Sequence, residues 1–146
     1  MGADLYIDNL PRENQIRGFE VSKDAVEAGY FRDCYNGGGL FAVINASSGH
    51  SDLSWWQTVK RKDLFDAETG KMTVEGTKKW LAELKPIIAE FKALPVLYLH
   101  DYDMVKHCSI RGDKVKHKKE YYDWVDLFVG FLEKAIELKS TITFSV

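Results

Sequence analysis

The stretch that follows Thr73 constrains this chain most. Thr77, Trp80, Leu81, Leu84, Ile87, Ile88, Phe91 and Leu94 recur at steps of three and four residues. Lys78, Lys79, Glu83, Lys85, Glu90 and Lys92 occupy the rest of the wheel. That period predicts an amphipathic helix with one face to bury. Thr73 is its expected N-cap, Pro86 an expected kink and Pro95 its expected end. A second helix, from about 118 to 138, sets Tyr121, Trp124, Val125, Phe128, Phe131, Leu132, Ala135 and Ile136 on a broad apolar face. Tyr122 and Val129 widen that face, so this helix is expected to be central.

The two ends of the chain read differently. Residues 3–7 alternate, with Leu5 and Ile7 on one side and Asp4 and Tyr6 on the other. Residues 142–146 alternate in the same way. A short strand needs a partner for its backbone groups, so the N- and C-terminal strands are expected to pair in one small sheet. Ser22 caps an expected helix running to about residue 35, on the spacing of Ala25, Val26, Tyr30 and Cys34, and Gly37-Gly38-Gly39 is expected to stop it. Residues 40–44 form an apolar run too brief to assign, and 45–52 read as an exposed turn-rich loop. Asp52 or Ser54 is the expected cap of a helix entered by Trp55 and Trp56, and 96–99 read as a short buried strand. The fold class is thus α+β and predominantly helical, one domain over 1–146.

A chain of 146 residues with 45% apolar and 29% charged residues belongs with ordinary globular proteins. A formal net charge of −2 gives no global field toward nucleic acid. Cys34 and Cys108 lie far apart without CxxC spacing and read as thiols of a reducing compartment. There is no signal-peptide pattern at the N-terminus and no apolar run of membrane-spanning length, so the expected location is the cytoplasm, away from membrane.

Several motif matches fail on their chemistry. Placing Gly70 at the invariant glycine of a calcium loop puts Phe65, Ala67 and Gly76 at ligand positions that need side-chain oxygens. Residues 65–76 therefore read as a turn before a capped helix. The glycine triplet lacks the Lys-Ser/Thr of a P-loop. His50, His100, His107 and His117 are scattered; His100, Asp101, Asp103 and His107 fall near one helical turn and the next, short of a zinc site. No metal and no cofactor are expected. Arg111-Gly112-Asp113 is a short motif that recurs by chance. Arg111, Lys114, Lys116, Lys118 and Lys119, with His117, form a basic stretch that reads either as a phosphate grip or as a solvated linker. Nucleic acid is a secondary expectation on that ground alone.

The candidate site is the stretch around Tyr30, Arg32, Asp33, Tyr35 and Asn36. On a helix, Arg32 and Asn36 would share a face with Asp33 near its edge. Arg brings a bidentate fork, Asp accepts, and Asn does both. Such a face could hold a small anionic ligand or a partner's loop beside mobile glycines. The alternative is an Arg–Asp network bracing the helix end against Trp55 or Trp56. Of those two tryptophans one is expected in the core and the other exposed as an anchor.

In Gly2-Ala3-Asp4-Leu5-Tyr6-Ile7, the segment from Gly29 to Asn36, Leu53-Ser54-Trp55-Trp56 and, loosely, the last helix with its terminal strand, the chain resembles a group of small phage and bacterial proteins. The resemblance covers about half the chain and implies that these motifs belong to one fold. It carries no assigned reaction or ligand. It also implies serine where Cys34 stands, and a shorter, more apolar connection than residues 37–50 provide.

Taken together, the sequence suggests a binding or inhibitory accessory protein of phage or mobile-element type, engaging a host protein, a defence protein included, or a small anionic ligand. A second reading is a small enzyme acting on a phosphorylated or nucleotide substrate. There Arg32 would hold the anion, Asp33 or His50 would be the base, and Tyr30 or Tyr35 the proton donor. A third, a structural subunit, would show apolar surface on the last helix. The site depends on Arg32 facing a recess; an arginine matched internally would be scaffolding.

Overall fold

The two alternating ends of the chain meet in one sheet. The computed structural model describes residues 2–15, 21–49 and 51–146. Strand β1 (Gly2–Ile7) lies in the middle, with β2 (Tyr30–Cys34) on one edge and β5 (Ile142–Ser145) on the other, all antiparallel. Leu5 stands between Phe31 and Phe144 in register, and Ile7 beside Ile142. Asp8 closes the β5 side by accepting from the hydroxyls of Thr141 (2.6 Å) and Thr143 (2.7 Å).

The helices follow the sequence periods with two departures. Helix α4 (Val74–Lys92) starts at Thr73, whose hydroxyl accepts from the Gly76 N–H at 2.9 Å, and it runs on through Pro86. Helix α5 (Lys118–Glu137) buries Val125, Phe128, Phe131, Leu132 and Ala135 against α4 and the sheet. Short α3 (Trp55–Thr58) begins at Ser54, which accepts from the Gln57 N–H.

The first departure is helix α1 (Lys23–Glu27), capped by Ser22 as expected but five residues long. Gly29 takes φ +94°, a left-handed conformation that ends a helix, and its carbonyl accepts from the Ile7 N–H. Residues 30–34 therefore leave as strand β2. Tyr30, Phe31 and Cys34 suit a pleated surface, and the four-residue spacing that suggested a helix spans a break.

The second departure is α2 (Leu40–Ser48), which continues through a stretch expected to be an exposed loop. Ala46, Ser47 and Ser48 are buried. Polarity misled because these groups are bonded inside: Asn45 exchanges two hydrogen bonds with the Leu53 backbone (2.8 and 2.9 Å), and Ser47 accepts from the Tyr98 N–H at 2.8 Å. The glycine triplet accordingly opens a helix and does not stop one.

A hairpin of β3 (Tyr98–Asp103) and β4 (Cys108–Lys114) forms a second sheet against α2. It replaces the short buried strand expected over 96–99, of which Leu97 alone is fully buried. With five α-helices and two small antiparallel sheets among the described residues, this is a mixed α+β protein and not a predominantly helical one. The expected pairing of terminal strands is present.

The main core takes side chains from β1, β2, β5 and all five α-helices. At its centre Phe41 stacks on Trp55 (centroids 4.0 Å, planes 2° apart), while Trp80 and Phe128 meet that pair edge-on. No helix among the described residues is long and apolar enough to cross a membrane.

Candidate functional site: a recess beneath Trp56

Because β2 is a strand, its successive side chains leave on opposite faces. Phe31 and Asp33 point toward α2, and Tyr30 and Arg32 toward the far side of the sheet. This separates residues that a helix would have gathered. Tyr30 is fully buried, and its hydroxyl donates to Asp4 in a short hydrogen bond. Arg32 pairs with the same Asp4 carboxylate at 3.3 Å, bonds Tyr30, and lies over Gly2. With 18% of its side chain exposed, it is matched internally and lines none of the recesses described below. Burial, then the Asp4 contact, pushes the Tyr30 phenol up to about 12. The expected anion holder and one expected proton donor are thus tied to Asp4, away from these recesses.

Asp33 has a different task. It is 1% exposed, and its carboxylate accepts from the backbone N–H groups of Cys34 (2.8 Å), Leu40 (2.6 Å) and Phe41 (3.1 Å) and from Trp55 Nε1 (2.7 Å). Leu40 and Phe41 open α2, whose N-cap position is Gly39 and has no side chain to offer. Asp33 supplies the cap from a neighbouring strand. Burial raises its carboxyl above the ordinary value, and the four donors oppose that shift. The expected network of this aspartate against Trp55 exists, without the arginine.

The glycines explain how that carboxylate reaches the helix. A Cβ on Gly39 would lie 2.1 Å from the Cys34 carbonyl oxygen. One on Gly37 would lie 2.1 Å from the His100 carbonyl oxygen, where the His100 N–H donates to Gly37 at 2.9 Å. The triplet is a close-packing turn that ties the hairpin to the sheet, and Tyr121 fastens it by donating to the Gly38 carbonyl at 2.7 Å.

Above Asp33 opens a recess of about 320 Å³. Its buried lining is Asp33, Phe41 and Trp55, and Tyr35, Asn36, Trp56, Asn45 and His100 line it as well. Trp55 is 4% exposed and Trp56 52%, one core and one surface ring as expected. Trp56 stacks on Tyr35 with centroids 5.8 Å apart. The Tyr35 hydroxyl is buried without a hydrogen-bond partner among the described residues, and burial raises its pKa. Cys34 lines the same recess as a thiol whose pKa burial raises, so it is a poor nucleophile. Five sequence candidates therefore converge here: Asp33, Tyr35, Asn36, Trp55 and Trp56.

A second recess, also about 320 Å³, adjoins the first and shares Asn45 and His100 with it. Arg111, Ser51, Asp52 and Ser109 also line it. The sequence singles out His100 only as a metal ligand, and Arg111 only within a basic stretch and a chance tripeptide. The alternation of β3 and β4 would have placed both, had the hairpin been recognised.

The residues of the basic stretch are exposed and have different partners. The Arg111 guanidinium donates to the carbonyls of Ala46 (2.8 Å) and Ser47 (3.1 Å) at the end of α2, and lies over the Tyr98 ring at 4.8 Å. Lys118 donates to the Pro95 carbonyl and Lys119 pairs with Asp123. Lys114 and Lys116 remain exposed. Residues 100–107, expected near successive helical turns, are strand and turn. No group of His, Cys, Asp or Glu among the described residues could hold a metal ion. His50, an expected base, lies outside the described residues. Over the span of the expected last helix, Leu138 at the C-cap of α5 is the one large apolar residue that is exposed.

No protein-family profile, curated protein or solved structure matches this chain.

Proposed function

We propose that this is a binding protein that engages its partner or ligand through the recess beneath Trp56. One observation carries the reading: a large ring, half-exposed and braced on Tyr35, stands at the mouth of a concavity with a rigid, fully bonded floor. A pre-held aromatic anchor next to a pocket gives contact area at little ordering cost. The enzyme reading is weaker, because Asp33 and Arg32 are committed to α2 and Asp4. An accessory or inhibitory role toward a host protein, a defence protein included, is the form of this reading to test first.

The test is retention by native protein purified from a reducing cytoplasm, read by native mass spectrometry. Trp56→Ala should keep its fold, since the ring is largely outside the core, and lose the retained species. A folded Trp56→Ala variant that retains the same species at the same level would falsify the reading.

A further inference from the structure

The two adjoining recesses share Asn45 and His100 and carry different chemistry in their remaining linings. In the first, Trp56 has Tyr35 against one face, which leaves the other face for a flat guest. In the second, Arg111 spends Nε and Nη2 on the last carbonyls of α2 and keeps Nη1 without a partner among the described residues. Those two bonds hold the guanidinium in one orientation, so an incoming anion need not order it. Ser109 and Ser51 add hydroxyls to the same recess, and His100 lines both. Each recess alone is at the lower end of small-molecule sites, which begin at about 300 Å³. Joined, they suit a guest with a ring at one end and an acid at the other.

We infer that the joined recesses bind a mononucleotide, with its base stacked on Trp56 and its phosphate on Arg111 Nη1. This rests on the binding reading above and names its ligand class. Asn36, whose Oδ1 accepts from the Gly38 N–H, keeps its amide donors for the edge of a base. Asp52, the one acid among the described residues lining the second recess, lies exposed, where water and salt screen its repulsion of a phosphate. A bare phosphate lacks the stacking half and a nucleoside lacks the anionic half, so both should bind worse than the whole.

The test is calorimetry and tryptophan fluorescence on the full chain with AMP, GMP, CMP and UMP, their nucleosides, and inorganic phosphate. At least one nucleotide should bind, roughly tenfold tighter than its nucleoside. Trp56→Ala should weaken both, by on the order of tenfold or more. Ser109→Asp adds a negative charge beside Arg111 without touching α2, and should weaken the nucleotide alone. Three results overturn the inference: no nucleotide bound at millimolar concentration, a nucleoside bound as tightly as its nucleotide, or Ser109→Asp acting equally on both. If no nucleotide binds while a Trp56-dependent protein partner is retained, the inference fails and the binding reading stands. A nucleotide bound equally well by Trp56→Ala sinks both.

Discussion

The Asp33 carboxylate and the Arg111 guanidinium close opposite ends of α2, one accepting from its first N–H groups and the other donating to its last carbonyls. A helix carries partial positive charge at its N-terminus and negative charge at its C-terminus, so each side chain meets the sign it complements. Gly39 at the N-cap position has no side chain to offer, whereas Gly49, left-handed at the other end, donates its N–H to the Asn45 carbonyl and leaves those of Ala46 and Ser47 to Arg111. Asp33→Asn should therefore cost about 3 kcal/mol, because the amide sets a donor where only acceptors fit. Arg111→Met should cost about 1 kcal/mol, its site being open to water. Urea unfolding with unchanged m-values measures both, and an asparagine variant no weaker than the methionine one would refute the cap.

The glycine triplet makes unequal demands. Gly37→Ala and Gly39→Ala each drive a methyl into a backbone carbonyl, and each should lose about 2 kcal/mol or more. At Gly38 the nearest atoms are Asn36 Oδ1 at 3.3 Å and the Tyr121 hydroxyl at 3.4 Å, both on side chains that can shift. Gly38→Ala should be much milder, and thermal melts of the three variants give the order.

Tyr30 links the sheet to alkaline pH. Its phenol, ordinarily near 10, is held up to about 12 by burial and by its bond to Asp4, so the fold favours the neutral form. That contribution is complete below pH 10 and is lost as pH rises through about 12. Stability curves of the native protein and Tyr30→Phe should differ at neutral pH and converge through this window. A constant difference across it would show that the phenol does not titrate with folding.

Tyr35 should behave in the opposite sense. Its hydroxyl is buried without a partner, so Tyr35→Phe removes a desolvated polar group and keeps the ring under Trp56. The variant should match or exceed the native protein by up to about 1 kcal/mol, with binding intact. A loss of more than that in chemical denaturation would mean that the hydroxyl is satisfied in solution.

Legibility followed the range of the forces involved. Thr73, Ser22 and Ser54 act on N–H groups three residues ahead, and all three caps could be read along the chain. The periods of α4 and α5 and the alternation of β1 and β5 were equally visible. What was hidden was supplied from a distance. The N-cap of α2 comes from β2, the Ala46 and Ser47 carbonyls beside its Gly49 cap are met from β4, and its polar residues are satisfied by Leu53 and Tyr98, so a buried helix looked like a loop. At the site, the strand/helix ambiguity of residues 30–34 decided everything, because alternation moved Arg32 to the far face. The tryptophan pair survived, since adjacent residues on a helix diverge whatever surrounds them.

The position of β1 also governs the order in which the molecule can be completed during translation. Its outer neighbour β5 is separated from it by almost the whole chain, and Ile142 also exchanges backbone bonds with Met72 ahead of α4. Until the ribosome has delivered those residues, β1 keeps an unzipped flank and α4 lacks its tether. Final assembly is therefore a late, concerted event, and a nascent chain stalled short of residue 142 would expose a sticky edge to chaperones.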